Sequence, residues 1–185
     1  MKYDPEVHHR RSIRLKNYDY SHSGAYFVTV CTHNRECLLG EITDSEMVVN
    51  EYGTIVSKSW EWLGVQYDHV ELDAWMIMPN HMHGIIVINH DSCRGGSRTA
   101  PTATVPMMKR KPVGRLIGAF KTVSTKQINQ IRNTPGISVW QRNYYEHIIR
   151  DEKSLENIRN YIINNPAQWE EDENNPLLEM KHAKQ

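Results

Sequence analysis

The spacing of apolar residues along the chain predicts seven elements. Residues 25–32 (AYFVTVCT) follow Gly24 and are rich in β-branched and aromatic side chains, the composition of a strand. From Met47 to Leu63, the residues Val48, Val49, Tyr52, Ile55, Val56, Trp60 and Leu63 recur near one face at helical spacing, which predicts an amphipathic helix. His69 to Met78 reads as a strand, Pro79-Asn80 as a turn, and His81 to Ile88 as the returning strand of a hairpin. Helical spacing resumes at Val113, Leu116, Ile117, Phe120, Val123, Ile128 and Ile131, and Asn133, Pro135 and Gly136 stop it. Ile137 to Arg150 reads as extended. Asp151 to Asn165 reads as a last helix, opened by acidic residues that suit a helix N-terminus and closed before Pro166.

The order strand, helix, strand, strand, helix, strand predicts an α+β fold: a ferredoxin-like split βαβ sandwich, an antiparallel sheet with helices on one face. The last helix is an addition to that pattern. Residues 1–20 form a basic N-terminal arm, 21–169 the main domain, and 170–185 a polar, loosely ordered tail. Within the domain, residues 89–112 turn to Gly, Ser, Thr, Pro and Arg and read as a basic mobile loop.

Composition narrows the class of protein. No run of 18 apolar residues exists, so no membrane span is expected, and the charged N-terminus lacks the apolar stretch of a signal peptide. Cys31, Cys37 and Cys93 are odd in number and lack metal-type spacing, which points to reduced thiols in a cytoplasmic protein. The formal net charge is zero, but the charges are clustered. Lys2, Arg10, Arg11, Arg14 and Lys16 crowd the N-terminus. Arg94, Arg98, Lys109, Arg110 and Lys111 crowd the central loop, and Glu170, Glu171, Asp172 and Glu173 form an acidic run. Basic clusters on a neutral chain fit a localised phosphate-binding face; solvated surface is the alternative reading.

Two local patterns carry candidate chemistry. In His81-Met82-His83, strand alternation points both imidazoles the same way, where they can converge on one divalent metal, and sends Met82 to the opposite face. The tripeptide alone is equally the pattern of two hydrogen-bonded or exposed histidines. Tyr161 and Asn165 lie four apart on the last helix and share a face. A phenolic oxygen can act as nucleophile and an amide oxygen can meet a hard cation. On spacing alone, a tyrosine at the core rim and an asparagine ending a helix explain the pair as well.

The segments RRSIRLKNYDYSHSGAYFVTVCT, AWMIMPNHMHGIIVI, VGRLIGAFK, VWQRNYYEHIIRD and YIINNP, in this order and spacing, resemble the REP-associated tyrosine transposases, a branch of the single-tyrosine HUH transposases. The resemblance runs from about Arg10 to Trp169. It implies an enzyme that cleaves and rejoins single-stranded or hairpin DNA through a covalent 5′-phosphotyrosine link. It places the nucleophile at Tyr161 and the metal ligands at His81, His83 and Asn165, with Asn165 standing where some relatives have glutamine. The implied cofactor is Mg²⁺, with Mn²⁺ able to substitute. Positive charge near Tyr161 is expected to favour its phenolate. The candidate DNA contacts are Arg10, Arg11, Arg14, Lys109, Arg110, Lys111, Arg115, Lys121, Arg142 and Arg150, with Tyr144 and Tyr145 as strand or stacking residues. A homodimer would allow Tyr161 to serve a partner's histidines. A domesticated relative that binds hairpins without cutting them, and an unrelated metal-dependent hydrolase, are the competing readings.

Overall fold

A computed structural model describes residues 20–89, 111–176 and 178. Residues 1–19 and most of the 89–112 loop, with Arg10, Arg11, Arg14, Lys109 and Arg110, lie outside the described residues. In chain order the elements are β1 (Gly24–Cys31), β2 (Gly40–Thr43), β3 (Glu46–Val49), α1 (Glu51–Gln66), β4 (Val70–Ile77), β5 (His81–Ile88), α2 (Val113–Arg132), β6 (Tyr145–Ile149) and α3 (Glu152–Asn164). A 3-10 turn spans His33–Arg35, and a second covers Pro166–Glu171.

The main sheet has the order β4-β5-β1-β6, and every neighbouring pair is antiparallel. β1 and β4 therefore run parallel with β5 between them, which is the split βαβ topology expected from the sequence. Tyr26, Val28 and Val30 of β1 and Met82, Ile86 and Ile88 of β5 face a core filled by Val56, Trp60 and Leu63 of α1 and Leu116, Ile117 and Phe120 of α2. The alternate residues Phe27, Ile85 and Ile149 meet Ile162 of α3, with Leu155 and Ile158 packed alongside. The extra helix thus covers the face that α1 and α2 leave open.

Two stretches depart from the sequence expectation. Met47–Val49, read as the first turn of a helix, is the second strand of a small hairpin. Asp44 and Ser45 both take positive φ (51° and 65°), as the two central residues of a tight hairpin turn do. The helix waits for Asn50, whose side chain accepts from the Tyr52 and Gly53 N–H groups and caps the first turn. The expected extended run 137–150 forms strand only over Tyr145–Ile149, with Trp140 bridging singly to Thr32.

Gly84, directly after the histidine pair, lets the indole of Trp60 lie against the sheet. A Cβ on Gly84 would come within 2.5 Å of Trp60 Cζ2. Trp60 is fully buried and sits edge-on to Phe120 at 5.4 Å, so it has no room to retreat. We expect Gly84→Ala to cost about 1–3 kcal/mol by overpacking. The melting temperature should fall several degrees in a circular-dichroism melt; an unchanged midpoint would disprove the contact.

Candidate active site

β5 carries both histidines to the face covered by α3: His81 pairs with Cys31 and His83 with Thr29, while Met82 is buried in the opposite core. Both imidazoles are buried, and their Nε2 atoms lie 3.0 Å apart. Their orientation follows from the groups behind them. Asn80 is fully buried, and its Nδ2 donates to the backbone carbonyls of Arg35 and Asn174. Its Oδ1 must therefore accept, and it lies 2.9 Å from His81 Nδ1. This puts the His81 proton on Nδ1 and leaves the Nε2 lone pair facing the site. His83 Nδ1 is held at 2.9 Å by the Thr29 hydroxyl. Burial pushes the His81 imidazole down to about 4, with Asp172 opposing and Arg35 adding to the shift. Burial, then the neighbouring His81, pushes His83 well below the ordinary histidine value. Both rings are neutral at neutral pH, the form that ligates metals.

α3 brings the other two candidates. Asp151 caps it by accepting from the Ser154 N–H, and Ile162 buries its inner face. The Tyr161 hydroxyl lies 3.3 Å from His83 Nε2, and its ring stands edge-on to Phe27. Asn165 ends the helix, buried, with Nδ2 3.2 Å from Asp172 Oδ2 and with Oδ1 buried and unpartnered. Asp172 in turn approaches His81 Nε2 to 3.9 Å. His81, His83 and Asp172 each offer a ligand atom, all within 4.8 Å of one another.

Asp172 escapes notice in the sequence because it stands inside an acidic run. Its neighbours Glu170, Glu171 and Glu173 are exposed as such a run should be, and Asp172 alone turns inward. Over its described part, the expected loose polar tail is packed against the site. The 3-10 turn Pro166–Glu171 carries the chain past His81, whose ring lies 6.1 Å from Trp169, and Asp172, Asn174 and Asn175 are buried. The one available signal was the recurrence of Asn-Asn-Pro at 164–166 and 174–176.

The donor set suits a divalent cation. Nitrogens 3.0 Å apart have the separation of adjacent ligands about 2.1 Å from one ion. The Asp172 carboxylate adds an oxygen, which harder ions prefer, and Asn165, hydrogen-bonded to it through Nδ2, carries a buried oxygen without a partner. The expected help from positive charge around Tyr161 is not what the protein supplies. Burial, Asp172 and Glu173 raise the phenol above its ordinary value, against a smaller lowering by a hydrogen bond with Asn165.

A cavity of ≈ 410 Å³ opens beside Tyr161 and His83, lined also by Phe27, Tyr145, Arg35 and Glu173. None of Lys111, Arg115, Lys121, Arg142 and Arg150 lines it. Lys111 and Arg115 lie at the start of α2, which packs on the far face of the sheet. Lys121 donates to the carbonyls of Gln141 and Asn143 beneath the cavity rim, and burial lowers its ammonium to about 8. Arg142 lines a neighbouring groove of ≈ 800 Å³ that shares Gln141 with the cavity, and Arg150 a separate recess with Tyr20 and Tyr145. Arg35, absent from the sequence-based candidates, is the basic side chain inside the cavity.

A bulge in β4 anchors α3. The register passes from Leu72↔Ile86 to Trp75↔Gly84, so Asp73 and Ala74 together oppose Ile85. Asp73 accepts from the Ala74 N–H at 2.6 Å and holds Arg159 of α3 with Nε at 3.0 Å and Nη2 at 2.7 Å. The pair fixes the helix half a turn from Tyr161.

The split βαβ sheet, the paired histidines around a buried Met82 and the helix-borne tyrosine beside them are the arrangement that the resemblance to the single-tyrosine HUH transposases implies. Comparison with known proteins bears on that resemblance. No family model matches the chain. A Haemophilus influenzae protein with no function in its name is 42% identical over 175 residues, 93% of this chain and 96% of that protein. A second H. influenzae protein, whose name places it among the REP-associated tyrosine transposases, is 27% identical over 156 residues, 83% of this chain and 77% of that one. The solved structure of a REP-associated tyrosine transposase bound to a REP hairpin superposes with a TM-score of 0.56 at 19% identity, covering 86% of this chain and 74% of the other. These likenesses agree with the resemblance to REP-associated tyrosine transposases read from the sequence.

The Asp73–Arg159 pair gives a pH-dependent test. Hydrogen bonding to Arg159 holds the Asp73 carboxyl below its ordinary value of 3.8. A depressed carboxylate stabilises the fold above its unfolded pKa, and that contribution disappears as pH falls through the folded one. With both side chains partly exposed, solvent screens the pair and its contribution is modest. Asp73→Asn should melt lower than wild type at neutral pH, and the gap should close below pH 3.8. A gap that persists unchanged in acid would remove the ion pair as its cause.

Proposed function

We propose that the protein cleaves and rejoins single-stranded DNA at hairpins through a 5′-phosphotyrosine intermediate on Tyr161. The observation that carries this reading is the Tyr161 hydroxyl 3.3 Å from His83 Nε2, at the edge of the His81–His83–Asp172 group. A nucleophile must sit beside the phosphate that a cation polarises, and no other tyrosine has this placement among the described residues. The hairpin substrate is carried over from the relative solved with a REP hairpin.

In this reading His81, His83 and Asp172 would hold a divalent cation, Mg²⁺ or Mn²⁺, with Asn165 hydrogen-bonded to Asp172 beside them. The bound cation would neutralise the phosphodiester charge and orient the phosphorus. The remaining work falls to the chain. Asn80 and Thr29 hold the imidazoles from behind. Phe27 and the Asp73–Arg159 pair fix Tyr161 and its helix. Tyr161 Oη bonds to phosphorus while the phosphorus–O3′ bond breaks; the phenolic proton leaves to water, which reaches the partly exposed ring, and the departing 3′ oxygen is protonated. Rejoining reverses these bonds with a 3′-hydroxyl as nucleophile, so the bond energy is conserved and no nucleoside triphosphate is consumed.

Labelled hairpin DNA on a denaturing gel, with Mg²⁺ or Mn²⁺ present, tests the reading. Wild type should form a covalent adduct. Tyr161→Phe should abolish it while keeping the fold and hairpin binding, and Tyr144→Phe and Tyr145→Phe should keep it. Hairpin binding with no adduct from wild type would instead establish the non-catalytic reading. Calorimetric titration with Mn²⁺ tests the ligand set. Asp172→Asn and His81→Ala should each weaken Mn²⁺ at least tenfold, and Asn80→Ala about 10–100-fold through misorientation of His81. Unchanged affinity in Asp172→Asn would return Asp172 to a purely structural role.

A further inference from the structure

We infer that Arg35 is a phosphate-gripping residue of the tyrosine cavity, its guanidinium holding the backbone of the strand laid across Tyr161. This rests on the DNA-cleaving site proposed above and adds a contact to it.

The first argument is conformational. Asn34 and Arg35 both adopt left-handed backbone, with φ of 53° and 55°. For non-glycine residues this backbone is costly, and such strain persists only where the surroundings over-determine it. Here they do. The Arg35 N–H donates to the Thr32 carbonyl, and the Thr32 hydroxyl lies within hydrogen-bond reach of the carbonyls of Asn80 and Glu36. The Arg35 carbonyl accepts from Asn80 Nδ2. The amide that aims His81 therefore also fixes the backbone from which the guanidinium projects, so cation site and arginine share one frame.

The second argument is the place and chemistry of the side chain. Arg35 lines the cavity together with His83 and Tyr161, and its Nη1 donates to the Glu173 carbonyl at 3.0 Å. It is the cation among the lining side chains; Glu173 is the carboxylate. A guanidinium fork matches two phosphate oxygens and cannot lose its charge, which suits it to a polyanion entering a site already holding carboxylates. Nothing in a merely structural turn calls for an arginine at a left-handed position, where asparagine or glycine is the cheaper residue.

A structural pin to the 172–175 segment is the competing explanation, since Arg35 also touches Glu173. Binding of hairpin DNA, measured in the Tyr161→Phe background without added divalent metal, separates the two. Each phosphate neutralised on a single strand contributes about 0.7 to the slope of log affinity against log salt. Adding Arg35→Gln should reduce the slope by about that amount, and adding Arg35→Lys should keep it. With Tyr161 restored, Arg35→Gln should lower the adduct-forming rate about 100-fold while leaving the Mn²⁺ affinity within twofold. An unchanged slope, or a loss of Mn²⁺ affinity that matches the loss of rate, overturns the inference in favour of the pin. Should Arg35→Gln not fold, neutral methylphosphonates placed one at a time along the hairpin decide with the Tyr161→Phe protein. One phosphate beside the cleaved bond should weaken binding about tenfold when neutralised, and this sensitivity should fall in Arg35→Lys; a flat scan overturns the inference. The salt slope needs no cleavage, so absence of the adduct in wild type would sink the catalytic reading while this contact is still decided.

Discussion

Most of the site depends on one buried amide. Asn80 sits in the β4–β5 turn with both ends committed: two carbonyls take its N–H groups and one imidazole meets its oxygen. Those three partners belong to three segments far apart in sequence, the 33–35 turn, the segment after Glu171 and the start of β5. A buried amide left half satisfied costs on the order of 1–3 kcal/mol, so none of the three can drift without exposing the loss in the others. The tautomer of His81, the strained turn at Arg35 and the inward course of the chain at Asp172–Asn175 are consequences of the same group.

Electrostatically, the site is shaped for a positive charge. Two imidazoles are held neutral by burial, a carboxylate is buried beside them, and the same carboxylate helps keep the phenol of Tyr161 protonated. On the reading proposed above, the protonated phenol is the obstacle to attack on a phosphate in the bare protein. A cation between the nitrogens and Asp172 would be met by neutral imidazoles and a carboxylate, and would draw the phenol toward its ionised form. The groups behind the imidazoles would then act as a preorganised shell around that ion.

The sheet and the histidine pair were legible in the sequence because both obey local rules. Strand alternation alone sends His81 and His83 to one side, and apolar spacing marks α1, α2 and α3. The hairpin at 40–49 was hidden because Val48 and Val49 also fit a helical stripe; the positive-φ turn at Asp44-Ser45 and the cap at Asn50 decide the matter, and both are single-residue features. Asp172 and Arg35 were illegible for a different reason. Their roles come from chain segments folded onto the β4–β5 turn over long sequence separations, and an acidic run or an isolated arginine looks the same whether it meets water or a cavity. Lys121 shows the converse: a basic residue next to the cavity that is occupied in tying down the 141–143 loop.

The bulge at Asp73-Ala74 serves the helix on the far face and not the core. Before it, Val70 and Leu72 point toward α1; after it, Trp75 and Ile77 do. Removing one residue there would restore strict alternation and leave these four on one side of the sheet. What it would undo is the bulge geometry in which Asp73 accepts from the Ala74 N–H while holding Arg159. The additional residue works as a mooring: one position taken out of the regular ladder to tie α3, and Tyr161 with it, to the sheet.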